Sequence, residues 1–209
     1  MRWSFAQKKR LFTMLPADRM KLITPSQWLA NLVGESFLAK YPVHVVNNTI
    51  NVDVFKPTPS DFRERYGLRN KYVILGVASK WSERKGLDDF VRLAGELDDR
   101  FAIVLVGLSE KQIKELPEKI VRLPRTNGAA ELASAYTAAD VFFNPTQEDN
   151  YPTVNLEAEA CGTPVITYDT GGCRETVGAV TGSTVVEGYS DGLARLILCA
   201  AEKDEGAQP

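Results

Sequence analysis

Along this chain, short apolar, β-branched runs alternate with stretches of helical periodicity. The runs at 43–47 (VHVVN), 73–79 (VILGVAS), 102–107 (AIVLVG), 119–123 (KIVRL), 141–144 (VFFN), 165–168 (VITY) and 183–186 (STVV) predict strands. Helices are predicted over 3–15, 25–38, 59–66, 86–97, 109–116, 129–138, 153–161, 172–178 and 190–203. Strand–helix alternation of this kind calls for right-handed crossovers and a parallel sheet covered on both faces. The expected fold is therefore α/β, a Rossmann-like doubly wound parallel sheet.

Turn and cap residues agree with these boundaries. Thr24-Pro25 sets a cap residue ahead of a proline at a first helical turn. Gly162 follows the helix 153–161 as its C-terminal stop, and Pro164 blocks continuation. Residues 48–60 (NTINVDVFKPTPS) hold two prolines and no clear period, and read as a linker between domains. The segment before it, 1–47, holds about one βαβ unit, too little for a domain by itself. Residues 61–209 carry the remaining strands, enough for a complete sheet.

Composition narrows the function classes. The 209 residues are 44% hydrophobic and 25% charged, ordinary values for a globular chain. A net charge of −2 provides no basic field and argues against a nucleic-acid partner. The N-terminus is a local exception, with Arg2, Lys8, Lys9 and Arg10 among Trp3, Phe5, Leu11 and Phe12. Such an amphipathic helix either packs its apolar face on a domain or makes peripheral contact with a membrane or partner. No run reaches the ~20 apolar residues of a membrane span, and charge interrupts every apolar stretch near the start, so neither a span nor a secretory leader is expected. Cys161, Cys173 and Cys199 are odd in number and lack metal-ligand spacing, which suits packed, reduced thiols in a cytoplasmic protein. The lone histidine, His44, sits in a strand-like run and offers no Ser–His–Asp or Cys–His mechanism.

The strand order fixes where a ligand belongs. A six-stranded sheet of this type runs 3-2-1-4-5-6, and ligands bind beyond the carboxyl ends of strands 1 and 4, where the order reverses. After the strand 73–79 the chain reads Lys80-Trp81-Ser82-Glu83-Arg84-Lys85-Gly86. After the strand 141–144 it reads Pro145-Thr146-Gln147-Glu148-Asp149-Asn150-Tyr151-Pro152 and opens into a helix at Thr153. One loop brings cations. The other leads to a helix N-terminus, whose free N–H groups and dipole favour an anion. Topology thus predicts an anionic ligand between Lys80, Lys85 and the amides of Thr153 and Val154, and a pyrophosphate fits.

The helix 153–161 refines this. Successive residues turn by about 100°, so Glu157 lies on the face of Thr153 while Glu159 points to a different environment. A carboxylate there suits a sugar diol, and Asp149, eight residues earlier, can serve a second sugar. No GxGxxG or GxxxxGK[ST] turn follows the first strand, which argues against NAD and ATP.

Together these residues resemble the signature of family-four retaining glycosyltransferases of the GT-B type. The resemblance rests on Asp149 to Ala158 (DNYPTVNLEA), on Cys161-Gly162-Thr163-Pro164-Val165-Ile166 and on Gly171-Gly172-Cys173-Arg174-Glu175. Lys85-Gly86 matches the family's Lys-Gly, and 45–57 (VVNNTINVDVFKP) is similar to its hinge. The match runs from about residue 22 to about residue 198. It implies that 61–209 is the C-terminal half of a GT-B fold and that 1–47 is a remnant of the N-terminal acceptor domain.

The resemblance also assigns roles. Lys80 and Lys85 would neutralise the donor diphosphate, and Asp149 would contact the donor hexose. Asn150, Tyr151, Pro152, Thr153 and Val154 would flank its phosphate, and Glu157 would bind the ribose. Leu123, Pro124, Arg125 and Thr126 would line the base pocket, while Gly171, Gly172 and Glu175 would shape the loop over the donor. The sequence departs from the family in three places. Asp149 stands in the register of a glutamate. Lys80 replaces an arginine, keeping charge but losing bidentate geometry. Most of the acceptor domain, and the long helix that usually follows a tail such as DEGAQP, lie outside the match.

The implied reaction moves a hexosyl group from a nucleotide diphosphate sugar to a glycan or lipid-linked acceptor with retention, in a setting such as surface-polysaccharide synthesis. No cofactor and no metal are expected. The alternative is a non-catalytic nucleotide-sugar-binding fragment or subunit that needs a separate acceptor domain.

Overall fold

The computed structural model describes residues 2–189 and 192–198. The chain forms two compact units, Met1–Thr49 and Ile50–Pro209.

The first unit opens with helix α1 (Arg2–Phe12) and continues through β1 (Leu22–Thr24), α2 (Gln27–Gly34) and β2 (Val43–Val45). β1 and β2 pair in parallel, Leu22 opposite Val43 and Thr24 opposite Val45, so this segment is one βαβ crossover. β1 is absent from the sequence expectation, because three residues are too few to show alternation. The cap of α2 is also displaced. Ser26, not Thr24, accepts the Leu29 N–H at 3.1 Å, and Thr24 belongs to the strand. Phe5 of α1 meets Phe37 edge to face at 5.6 Å, and the buried Tyr41 hydroxyl donates to the carbonyls of Phe12 and Leu15. Trp3, Leu11 and Phe12 remain exposed beside Lys8, Lys9 and Arg10.

The second unit begins with the short α3 (Phe62–Arg65), followed by β3 (Tyr72–Val77), α4 (Leu87–Glu96) and β4 (Phe101–Val106). Next come α5 (Glu110–Glu115), β5 (Ile120–Leu123), α6 (Ala129–Ala138) and β6 (Val141–Asn144). The unit continues through α7 (Thr153–Ala160), β7 (Val165–Tyr168) and β8 (Thr184–Val186). The six strands lie in the order β5-β4-β3-β6-β7-β8, every neighbouring pair parallel, which is the 3-2-1-4-5-6 order anticipated. All six residues of β4 are buried, and no polar alternation appears in it, because both faces of the sheet are covered. One face packs Phe90, Leu93 and Leu97 with Leu193 and Ile197; the other packs Phe62, Tyr136 and Ala158. Full burial of a side chain such as Phe90 or Phe142 contributes about 2 to 3 kcal/mol relative to exposure.

Two further differences have local causes. The helix expected at 172–178 is a single 3₁₀ turn, Cys173–Thr176. Thr176 turns inward to accept from Asn155, and the N–H groups of Gly178 and Ala179 go to Glu159 rather than to helical carbonyls. Of the helix expected at 190–203, residues 193–198 are helical, and the rest, with Cys199, lies largely outside the described residues.

At the amino ends of β3 and β6 the charges close on one another. Arg63 reaches Asp140 at 2.7 Å and donates to the carbonyls of Ala138 and Lys71. The second Asp140 oxygen accepts the Val73 N–H at 2.6 Å. This cluster ties α3 to the start of two strands.

Candidate functional site

At the carboxyl end of the sheet β3 leads on to β4 and β6 to β7, so the strand order reverses between β3 and β6, the position at which open sheets of this kind hold ligands in a crevice. The loops beyond these strands are clasped together by backbone. The Gln147 N–H donates to the Arg84 carbonyl at 2.8 Å, and the Thr170 hydroxyl to the Thr146 carbonyl at 2.7 Å. Two glycines permit the clasp. Gly86, at φ +72°, approaches Pro145 so closely that a Cβ would lie 2.4 Å from its carbonyl oxygen. Gly171, at φ +58°, would set a Cβ 1.9 Å from the Asp149 carbonyl oxygen, and the neighbouring Gly172 N–H donates to that oxygen at 2.9 Å.

Inside the clasp, Lys85 Nζ lies 2.6 Å from Asp149 Oδ2, and each side chain keeps about a quarter of its surface exposed. Asp149 Oδ1 accepts the Tyr151 N–H at 3.3 Å. The predicted cation and the predicted acid thus meet across 64 residues of sequence. Lys80 is exposed and makes no ion pair among the described residues. The adjacent Trp81 is a core residue. Its indole N–H donates to the Val106 carbonyl at 2.9 Å, and its ring meets Phe90 edge to face. Arg84 turns instead toward Glu148 at 4.0 Å, both exposed.

α7 begins at Thr153 behind Pro152, and no side chain caps it. The Asn155 N–H folds back on the Pro152 carbonyl, and among the described residues the Thr153 and Val154 amides, in the first turn, donate to no other group. Its two glutamates diverge as the helical angle requires. Glu159 is buried and accepts from the backbone N–H groups of Gly178 at 2.8 Å and Ala179 at 3.0 Å. Glu157 is half-buried and accepts from the Tyr136 hydroxyl at 3.0 Å. Burial raises the Glu157 carboxyl above its ordinary range, and the neighbouring Tyr136 and Thr153 hydroxyls pull it part of the way back.

The other predicted residues lie along the same edge. Arg125 donates to the Ser79 carbonyl at 3.1 Å, next to Lys80, and the Thr126 hydroxyl donates to the Gly128 carbonyl at 3.2 Å. The Glu175 N–H returns to the Gly172 carbonyl, and burial together with the Glu175 carboxylate raises the Tyr151 phenol above its usual range. Asn150 is exposed. Cys161 and Cys173 are buried, and burial pushes the Cys161 thiol up to about 11, the state of a packed thiol rather than a nucleophile.

Sequence reasoning missed the support behind these residues. Asn144, closing β6, donates to Asn155 Oδ1 at 2.8 Å; Asn155 donates to Thr176 at 2.9 Å; Thr176 donates to the Cys173 carbonyl at 2.7 Å. This buried chain fixes α7 to β6 and to the Gly171-Gly172 turn, and every side-chain link in it is satisfied. The available signal was helical spacing, since Asn155, Ala158 and Glu159 share the inward face of α7. Tyr136, the partner of Glu157, had no comparable signal. Among the described residues no group of three or more His, Cys, Asp or Glu is placed to hold a metal, and no helix is long and apolar enough to cross a membrane.

The D-inositol 3-phosphate glycosyltransferase 1 of Catenulispora acidiphila is 28% identical over 193 residues, covering 83% of this chain and 46% of that protein. A glycosyltransferase from Rickettsia africae superposes with a TM-score of 0.78 at 20% identity, covering 94% of this chain and 57% of its own. HepE from Anabaena, solved in complex with UDP-glucose, superposes with a TM-score of 0.75 at 20% identity, covering 96% and 58%. The chain spans about half the length of the relatives it matches. Residues 60–208 match the model of the glycosyl transferases group 1, and the chain belongs to that family.

Proposed function

We propose that the crevice beyond β3 and β6 binds a nucleotide diphosphate sugar, and that the chain is the donor-binding part of a retaining hexosyltransferase acting on a glycan or lipid-linked acceptor. The observation that carries this reading is the Lys85–Asp149 pair, which joins the two loops beside the uncapped start of α7. Lys85 and the exposed Lys80 supply positive charge, and the Thr153 and Val154 amides supply donors, where a diphosphate would lie. Asp149 is then released to accept from the hexose, and Glu157 accepts from the ribose.

The reaction gains from the same groups. As the glycosidic bond breaks, negative charge grows on the leaving diphosphate, and preorganised cations and amides stabilise it. The reading needs no metal, because Lys80, Lys85 and the helix terminus carry the charge. It needs no covalent carboxylate either. A glycosidase-like pair sits about 5 Å apart across one sugar, whereas Asp149 is bound to Lys85 and Glu157 to Tyr136.

Thermal unfolding in the presence of UDP, GDP and their sugars tests the donor site. One base is expected to raise the melting temperature, since a ligand at 100 times its Kd adds about 2.7 kcal/mol. No shift by a folded chain up to millimolar ligand contradicts the reading. Retention is checked by the anomeric configuration of the product once an acceptor half is supplied. Because the chain spans about half of its relatives, a second reading is a nucleotide-sugar-binding part that acts only with a separately supplied acceptor half. The exposed Trp3, Leu11 and Phe12 beside the basic residues of α1 support peripheral contact with an anionic bilayer, tested by co-sedimentation with vesicles containing anionic lipid.

A further inference from the structure

Glu157 is held by a residue that belongs to neither donor loop. Tyr136 lies on the inner face of α6 and is fully buried, yet its hydroxyl ends on Glu157 Oε2. The ring has little freedom. It meets Phe142 edge to face at 5.3 Å and Phe55 at 6.2 Å, and its own backbone carbonyl accepts from Thr163 at 2.6 Å. Burial raises the phenol well above its usual range, so it stays protonated and can only donate toward a carboxylate.

A buried tyrosine hydroxyl needs a partner, and most find a backbone carbonyl or water. This one is paired with a half-buried carboxylate one turn into the helix that opens the crevice. The pairing occupies Oε2. A glutamate side chain otherwise samples several rotamers, and fixing it removes that entropy before a ligand arrives. We infer that Tyr136 is a positioning residue for Glu157 and through it sets the preference of the site for nucleotides that carry an intact ribose diol. The inference rests on the reading of Glu157 as the ribose acceptor. Its chemistry is general: a site built to hydrogen-bond a hydroxyl rejects the analogue that lacks it, because its own acceptor is left unpaired.

The test is calorimetric titration of the full chain with UDP and with 2′,3′-dideoxy-UDP, and with the guanosine pair in parallel. Wild-type protein, Tyr136→Phe, Glu157→Gln and the double variant are compared. Phenylalanine keeps the buried ring and its edge contacts, and thermal unfolding confirms that each variant is folded. The wild type is expected to prefer the diol by about tenfold. Tyr136→Phe is expected to cut that preference by about three- to tenfold while leaving dideoxynucleotide affinity within about twofold. The double variant is expected to lose no more than Glu157→Gln alone, because the two residues act as one unit. A Tyr136→Phe protein that weakens both ligands equally, or keeps the wild-type preference, overturns the inference and leaves Tyr136 a packing residue. A wild type that binds both ligands equally overturns it together with the ribose role of Glu157. A wild type that binds no nucleotide overturns the donor site itself.

Discussion

The two ends of the six-stranded sheet use the same kinds of side chain to opposite effect. At the amino end, Arg63 and Asp140 satisfy each other and three backbone groups. At the carboxyl end, Lys80 has no ion pair among the described residues, Lys85 shares one with Asp149, and α7 starts without a side-chain cap. Charge that is closed upon backbone serves the fold, and charge that stops at a crevice is available for chemistry. α7 repeats the lesson over three residues. Glu159 is buried on the amides of Gly178 and Ala179, while Glu157 accepts from Tyr136 and stays half-exposed.

Substitutions can break this contrast, and the largest effect falls at the closed end. Arg63→Ala leaves Asp140 without its cation and is expected to destabilise the chain by about 2 to 3 kcal/mol in urea unfolding, with nucleotide affinity unchanged. That is below the value for a fully buried pair, because about a quarter of each side chain is exposed. Lys85→Ala is expected to do the reverse: nucleotide diphosphate affinity falls about tenfold to thirtyfold in calorimetry, while stability changes by less than about 1 kcal/mol. Glu159→Gln is expected to cost about 1 kcal/mol of stability and to spare affinity, since it touches only the backbone of residues 178–179.

The pH dependence sharpens the same contrast at Glu157. Burial raises this carboxyl, so the folded chain holds its proton more tightly than the unfolded chain. The stability it contributes is present below the ordinary glutamate value and is lost as pH rises through the raised one. Binding runs the other way, because only the carboxylate accepts from both ribose hydroxyls. The UDP to dideoxy-UDP affinity ratio, in which titration of the diphosphate cancels, is expected to fall on acidification with a midpoint above the ordinary glutamate range, and Glu157→Gln is expected to flatten it. The smallest expected effect is that of a chelator: EDTA is expected to leave UDP affinity unchanged.

The sheet was legible in the sequence because strands buried on both faces are unbroken apolar runs, as in 102–107 and 141–144. The crevice was legible because strand order alone fixes where the exits diverge, and helical geometry separated Glu157 from Glu159. What escaped was short or distant. β1 has three residues, and the cap at Ser26 depends on where a strand ends rather than on its neighbours. The pairing of Tyr136 with Glu157, and the chain from Asn144 through Asn155 to Thr176, join residues from different elements, and each needs the packed sheet to bring it together. The 3₁₀ turn at Cys173–Thr176 follows from that chain, which local propensity does not see.

One experiment bears on the whole reading: calorimetric titration of the 209-residue chain with UDP and GDP, with Lys85→Ala and Glu159→Ala run alongside. The expected result is binding of one nucleotide, weakened at least tenfold by Lys85→Ala and unaltered by Glu159→Ala. Binding that Lys85→Ala leaves intact, or no binding by a folded chain up to millimolar nucleotide, would contradict a donor site at the carboxyl end of the sheet.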